Sequence, residues 1–312
     1  MKRLTSDDPW PASLRGAVVA LGNFDGFHLG HQAVAGRARA LAAERGAPFV
    51  IATFSPHPAR IFKPDAPFFR LTTLDQRERL FAAAGADGML VFKFDATMAQ
   101  VSAEDFVNLW LVERLGAAAV VTGQDFTFGK GRLGTVDLLT DVGRAAGLQT
   151  EAVAPVSDSE GPISSSRVRA ALKRGDCEEA TRLLSRPFAL EGTVTNGAKL
   201  GRTIGYPTAN IALERYLRPA YGIYAVRGLL PDGRLLDGVA NLGIRPTFDP
   251  PVELLEPYFF DFSGDLYGQT IEVQLLHYLR PEAKYDSLDE LVAQIGRDCA
   301  DARAYLARAA IA

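Results

Sequence analysis

Gly22-Asn23-Phe24-Asp25-Gly26-Phe27-His28-Leu29-Gly30-His31 follows directly on the apolar run Ala17-Val18-Val19-Ala20-Leu21. The run reads as a buried strand, the glycines mark a turn after it, and the residues from Gln32 to Ala43 read as the body of a helix. A helix start presents backbone N–H groups without intrahelical partners, together with the positive end of the dipole, so phosphate binds there readily. Histidines three residues apart share a face of the first turn. His28 and His31 are therefore expected to donate to one phosphate chain, with Gly26 and Gly30 leaving the backbone open to a ligand. The plain alternative is a sharp turn with two surface histidines. Against it, the chain has only 4 histidines, and His28, His31 and His57 all fall in dense motifs.

Working outward, apolar strands alternate with amphipathic helices as far as residue 155. Strands are expected at 17–22, 48–54, 88–92, 118–122 and 151–155, with helices centred on Ala38, Arg79, Val107 and Val142. This repetition predicts an α/β domain with a Rossmann-like parallel sheet covered on both faces, its ligand lying beyond the carboxyl ends of the strands. After Pro187 the texture becomes short β-rich stretches punctuated by Gly and Pro, at 189–195, 222–230, 235–243, 257–262 and 270–278. Their spacing predicts a small antiparallel β-barrel, closed by a C-terminal helix from Ser287 to Ala310. The expected domains are 1–186 and 187–312. No internal repeat or low-complexity segment interrupts them.

Composition limits the function classes. The 312 residues are 47% hydrophobic and 23% charged with a formal net charge of −3, which describes a globular chain and argues against extended nucleic-acid binding. The 2 cysteines, Cys177 and Cys299, have neither zinc spacing nor a disulfide pattern, so a reducing compartment is expected. Met1 to Arg15 has no signal-peptide core, and no window approaches the ~18 apolar residues that a membrane helix needs. A cytoplasmic enzyme is the expectation, with no nucleic-acid or membrane partner and its oligomeric state left open.

Three further motifs lie in the first domain. Thr53-Phe54-Ser55-Pro56-His57-Pro58 brings His57 to the same sheet edge, its prolines fixing an extended loop. Val120-Val121-Thr122-Gly123-Gln124-Asp125-Phe126-Thr127-Phe128-Gly129 ends the fourth expected strand with a carboxylate and two rings. A flat ligand could stack on Phe126 and Phe128, although such rings more often pack into a core. Ile163-Ser164-Ser165-Ser166-Arg167 precedes a helix expected from Val168 to Arg174. Serines there are ordinary caps, yet with Arg167 they also supply donors and a fixed cation suited to a departing pyrophosphate.

In the second domain the dense stretch is Asn196-Gly197-Ala198-Lys199-Leu200-Gly201-Arg202-Thr203-Ile204-Gly205-Tyr206-Pro207-Thr208-Ala209-Asn210. Its glycines permit close backbone approach to phosphates and Lys199 and Arg202 add charge, though a glycine-rich hairpin explains them as well. Thr208 and Asn210 offer neutral oxygens on one side of an extended chain, a donor set that suits Mg²⁺. Glu256, just before the strand-like 257–262, is positioned to accept a hydroxyl proton, and Glu253 competes with it for that role.

These motifs together resemble a known family. Gly-x-Phe-Asp-x-x-His-x-Gly-His with Ile-Ser-Ser-Ser-x-x-Arg is similar to the nucleotidylyltransferase superfamily. Phe-x-Pro-His-Pro and Gly-x-Asp-Phe-x-Phe-Gly narrow the resemblance to the FMN adenylyltransferase module of prokaryotic bifunctional riboflavin kinase/FAD synthetases. Class I aminoacyl-tRNA synthetases open similarly, but their Lys-Met-Ser-Lys-Ser-like loop is missing. The 197–210 stretch, Gly238 to Phe248 and Asp261 to Gly268 resemble the riboflavin kinase module of the same family.

The resemblance implies a nucleotidylyltransferase domain followed by a kinase barrel, converting riboflavin to FMN and FMN to FAD with ATP and Mg²⁺. It implies ATP contacts for Gly22, Asn23, Phe24, Asp25, His28, His31, Ser164, Ser165 and Arg167, and in the kinase half for Gly197, Lys199, Gly201, Thr208 and Asn210. Thr208 and Asn210 become the metal-side pair and Glu256 the catalytic glutamate, with Tyr258 where the family often has histidine. His57, Asp125, Phe126 and Phe128 are the flavin-side candidates, and His28, His31 and Arg167 join Glu256 as catalytic residues. A single-activity protein with one lapsed module would not keep both sets. A flavin-binding regulator without turnover would have no need of Glu256.

Overall fold

Alternate residues of the strand Val18–Leu21 (β2) face opposite layers. Val18 and Ala20 pack with Val34, Ala35, Ala38 and Leu41 of the helix Leu29–Arg45 (α1), whereas Val19 and Leu21 pack with Phe106, Val107, Leu111 and Leu139. Helical crossovers join neighbouring strands in parallel and in doing so cover both faces of the sheet. The computed structural model describes residues 1–62, 65, 67–196, 200–245 and 252–309, the side chains of Leu200, Arg202 and Ala309 excepted. The chain divides into two compact units, residues 1–67 with 74–164, and residues 68–73 with 165–312.

The first unit is a parallel sheet of six strands. Besides β2 these are Lys2–Thr5 (β1), Phe49–Ser55 (β3), Gly88–Lys93 (β4), Ala119–Gly123 (β5) and Gln149–Val153 (β6), in the order β1-β4-β3-β2-β5-β6. The short helix Pro58–Phe62 (α2) and the helix Leu74–Ala83 (α3) connect β3 to β4. A turn at Ala103–Asp105 (α4) runs into a π-helical segment, Phe106–Arg114, and Val136–Ala145 (α5) precedes β6. Thr135 starts α5, its hydroxyl accepting the Leu138 N–H at 3.3 Å as a polar cap should. A small hairpin, Ser157–Asp158 (β7) with Gly161–Pro162 (β8), ends the unit. The strand order reverses at β2, with β3 on one side and β5 on the other. Ligands of open α/β sheets bind at such a reversal, beyond the carboxyl ends, and the turn at Gly22 begins there.

The second unit is an antiparallel, nearly closed barrel. Its strands are Phe188–Thr193 (β9), Ile211–Ala212 (β10), Gly222–Leu229 (β11), Leu235–Arg245 (β12), Val252–Phe259 (β13) and Thr270–Arg280 (β14), in the order β10-β13-β12-β11-β14-β9. The two edges meet where the Thr195 N–H donates to the Asn210 carbonyl at 2.9 Å. Helices Ser165–Lys173 (α6) and Cys177–Leu184 (α7) precede β9, a single turn Leu200–Thr203 (α8) precedes β10, and Leu288–Ala309 (α9) ends the chain. Ala302 and Leu306 of α9 pack on Ala225, Val239 and Phe260, on the outer face of the sheet. Arg280 of β14 holds the buried Asp298 of α9 with bonds of 2.7 and 2.6 Å.

Most expected elements appear, and the differences have local causes. β1 has a single buried residue, Leu4, too little for an apolar run. β6 begins two residues earlier than expected, and α6 starts at Ser165 instead of Val168. The largest shift is β13. The aromatic run Tyr258-Phe259-Phe260 drew the expectation toward 257–262, but the strand is Val252–Phe259, and Asp261 turns the chain with φ 54°. Glu256 therefore sits inside a strand and not ahead of one.

Candidate active sites

The turn after β2 is wound against backbone preference. Phe24, Gly26 and Phe27 have φ of 49°, 84° and 47°, and each non-glycine there costs on the order of 1–3 kcal/mol. Packing holds both phenylalanines in place. They are buried and meet the Phe81 ring of α3 edge-on at 5.9 and 5.1 Å.

His28 is the N-cap of α1. Its Nδ1 accepts the His31 N–H at 3.4 Å, which makes Nε2 the N–H donor of the neutral ring. The two imidazoles stack, with centroids 3.7 Å apart at 22°, and Phe24 supports His31 edge-on at 5.2 Å. The pair expected from the i, i+3 spacing is thus brought together. Gly30 is also constrained from within the turn. A Cβ there would lie 3.1 Å from His28 Cε1, 3.2 Å from Nδ1 and 3.2 Å from the Ile163 carbonyl oxygen, so the glycine makes room for the His28 ring.

Asp25 is buried, 3.9 Å from Arg77 of α3. Arg77 Nη1 also donates to the Asn23 carbonyl at 3.3 Å and to Thr53 Oγ1 at 3.1 Å. Thr53 in turn donates to the same Asn23 carbonyl at 2.7 Å. The Asn23 side-chain Oδ1 is buried without a partner among the described residues, an acceptor still to be satisfied. Sequence reasoning passed over Arg77. The available signal was its phase, since Leu74, Arg77 and Phe81 occupy one helical stripe.

The flavin-side candidates divide. Asp125 is exposed and Phe126 half-buried. Phe128 is a core residue, its ring 5.6 Å from Phe106 and stacked on Phe126 at 5.6 Å. His57 Nδ1 accepts the Ala59 N–H at 3.2 Å, capping α2. Ser164 ends the first unit, and Ser165 and Arg167 belong to the second. There Arg167 pairs with Glu179 of α7 at 2.9 Å.

In the barrel, cross-strand register assembles the second site. Glu256 of β13 lies opposite Asn241 of β12. On its other side Ile211 pairs with Leu255 and the Ala209 N–H donates to the Pro257 carbonyl at 2.9 Å, which sets Asn210 beside Glu256. Directly opposed residues share a face, so Asn210, Glu256 and Asn241 form a row on the outer face that Tyr258 and Phe260 continue beneath α9. Tyr258 packs edge-on against Tyr206 at 5.4 Å and Phe260 at 5.9 Å, a packing role.

The Glu256 carboxylate forms an ion pair with Arg245, whose Nη1 is 3.7 Å from Glu282. Glu282 also accepts from Asn241 Nδ2 at 3.2 Å. Asn241 Oδ1 is buried and without a partner among the described residues. The rival carboxylate, Glu253, is otherwise engaged. Arg218 Nε donates to it at 2.6 Å and the Tyr221 hydroxyl donates to its other oxygen. Burial works against its ionisation, yet these bonds hold Glu253 below the usual carboxylate range. Arg245, Asn241 and Glu282 were not legible as partners, because only strand pairing brings them to Glu256.

At Gly201 a Cβ would collide with the Tyr206 carbonyl oxygen and lie 3.5 Å from Thr208 Oγ1. Only glycine fits this close approach. Thr208 is half-buried and Asn210 buried. Gly197 and Lys199 lie outside the described residues. Among the described residues no group of three or more His, Cys, Asp and Glu is arranged to hold a metal. The neutral oxygens of Thr208 and Asn210, beside a carboxylate, do fit Mg²⁺, which keeps several waters and takes few protein ligands.

Comparison with known proteins covers both halves. The family model for FAD synthetase matches residues 11–167 and that for riboflavin kinase residues 184–306. The bifunctional riboflavin kinase/FMN adenylyltransferase of Haemophilus influenzae is 39% identical over 94% of this chain and 95% of its own. The Bacillus subtilis protein of the same description is 36% identical over 93% and 92%. A crystal structure from Streptococcus pneumoniae, described as a macrolide-efflux protein, superposes with a TM-score of 0.85 at 33% identity over 96% of this chain and 97% of that one. Among the described residues here, no helix is long and apolar enough to cross a membrane. With a histidine turn at the switch point of one unit, a glutamate between two asparagines on the barrel of the other, and relatives more than 30% identical over more than nine-tenths of both chains, the chain belongs to the bifunctional riboflavin kinase/FMN adenylyltransferase family.

Proposed function

We propose the following division of labour for the family's two reactions, riboflavin to FMN and FMN to FAD, each at the expense of ATP. In the barrel, Glu256 takes the proton of the ribityl 5′-hydroxyl as its oxygen attacks the γ-phosphorus, and ADP leaves. Arg245 pairs with Glu256 and has Glu282 at 3.7 Å, so its charge has a second carboxylate to meet when Glu256 becomes protonated. Gly197, Lys199 and Gly201 are assigned to the ATP phosphates. Mg²⁺ would be held by Thr208 and Asn210 and would supply charge neutralisation on the phosphates.

In the first reaction centre along the chain, an FMN phosphate oxygen attacks the α-phosphorus of ATP and the bond to pyrophosphate breaks. That nucleophile is already ionised, so no covalent enzyme intermediate is needed and catalysis is alignment and electrostatics. The segment Gly22 to Asp25 borders the nucleotide, and His28 and His31 donate to its phosphates. Ser164, Ser165 and Arg167 carry the same assignment, supported by the reach of the FAD synthetase match to residue 167. Asp125 and Phe126 are assigned to the flavin, with Phe128 behind Phe126 and His57 shaping its loop. The functional boundary is set at 186/187. A cytoplasmic location is supported by Cys177 and Cys299 being free thiols.

The observation that carries this reading is the stacked His28–His31 pair at the sheet's switch point. The test is a time course with riboflavin, ATP and Mg²⁺, the flavins separated by chromatography. FMN is expected to rise and then give way to FAD, and EDTA is expected to stop the first step until Mg²⁺ is restored. FMN formation undiminished in EDTA would remove the metal from the proposal.

A further inference from the structure

We propose that Arg77 is a positioning residue for adenylyl transfer, acting on His28 and His31 through the turn that carries them. The inference rests on the assignment of those histidines to the ATP phosphates. Arg77 is buried in α3, where a guanidinium needs partners to offset lost hydration. Its partners on the turn and the adjacent strand include the Asn23 carbonyl at 3.3 Å, Thr53 Oγ1 at 3.1 Å and Asp25 at 3.9 Å. Thr53 closes the triangle by donating to the Asn23 carbonyl at 2.7 Å.

A turn with φ of 49° at Phe24 and 47° at Phe27 keeps that shape only if its surroundings over-determine it. Helix α3 supplies the restraint from one face, since residues four apart on a helix are neighbours. Phe81 holds the two rings from below, at 5.9 and 5.1 Å, and Arg77 holds the Asn23 carbonyl just ahead of them and faces the Asp25 carboxylate between them. The next residue after this braced segment is His28, whose Nδ1 accepts the His31 backbone N–H and whose ring stacks on the His31 imidazole at 3.7 Å. Lysine cannot reproduce the bracket, because its point charge lacks the planar fork that reaches an oxygen on each of three residues.

The test compares Arg77→Lys, Thr53→Val and His28→Ala in the full chain. Each is assayed for FMN to FAD conversion, with kcat and KM resolved, and for riboflavin phosphorylation as an internal check on the second unit. Displacing reacting groups by about 1 Å costs on the order of 10²-fold in rate. Arg77→Lys is expected to lower kcat for FAD formation by about that factor, with KM for ATP changed less than about threefold and riboflavin phosphorylation unchanged. Thr53→Val, which keeps shape and the buried charge pair, is expected to show the same kcat-selective loss at about tenfold. FAD formation by both variants within about threefold of the parent, while His28→Ala abolishes it, overturns the role of Arg77. An active His28→Ala overturns the histidine assignment beneath it. If Arg77→Lys does not fold, Thr53→Val decides alone, and a loss seen in KM with kcat intact counts against the proposal.

Discussion

The two candidate sites are built in opposite ways. The histidine turn is an irregular stretch of consecutive residues, held in left-handed backbone angles by buried aromatic rings and a buried guanidinium. The glutamate row is regular, with each member set by the register of antiparallel strands remote in sequence, Asn210, Asn241 and Glu256. The first arrangement concentrates its information in one motif and depends on packing behind it. The second spreads its information along the chain and depends on the barrel being closed. A substitution in either should therefore silence one reaction and leave the other.

Removing the base is the most severe way to try that separation. Glu256→Ala is expected to slow FMN formation by about 10²–10⁴-fold, the range for a lost general base, while FAD is still made from supplied FMN. His28→Ala is expected to do the reverse, with FAD formation down about 10²–10³-fold, as for loss of one preorganised donor. Chromatographic rates for both steps in both variants decide the matter, and parallel loss of both activities would break the comparison.

Gly30→Ala asks how far the first site depends on fit. The new Cβ would press on His28 at 3.1 Å, so FAD formation is expected to fall about tenfold or more through a displaced ring. Helix propensity favours alanine by about 1 kcal/mol. The melting temperature should therefore hold while kcat falls, a split that a merely unfolded variant would not show.

Glu253→Gln sharpens the other side with the smallest effect. It removes the charge in the bonds with Arg218 and Tyr221 and should cost about 1–3 kcal/mol of stability, with kinase kcat reduced far less than by Glu256→Ala. The folded-state carboxyl is held below its ordinary 4.5. Its stabilisation is therefore complete above pH 4.5 and is lost as pH falls through the lower folded value. Thermal melts of parent and variant are expected to differ at neutral pH and to converge as pH falls through the lowered folded value. An equal gap at every pH would mean that the Glu253 charge contributes nothing.

Local pattern was legible where local physics decides. Runs such as Val18 to Leu21 and the glycine turn after them announce a strand and a helix start from consecutive residues, so the pairing of the two histidines could be read directly. That the His28 ring also lies against Gly30 is visible only in the folded turn. Glu256 was singled out as the candidate base, yet its strand was placed too late, because the aromatic run drew the expectation toward 257–262 whereas the strand is Val252–Phe259.

The sequence by itself determined the two domain types, their order and the turn that carries the two histidines, because strand and helix periodicity and turn chemistry act within a few residues. The tertiary structure alone decided that Arg77 braces the turn, that Arg245, Asn241 and Glu282 gather around Glu256, and that Glu253 is tied to Arg218. Those choices depend on cross-strand register and on the burial of charges from distant segments, and neither leaves a mark at short range in the chain.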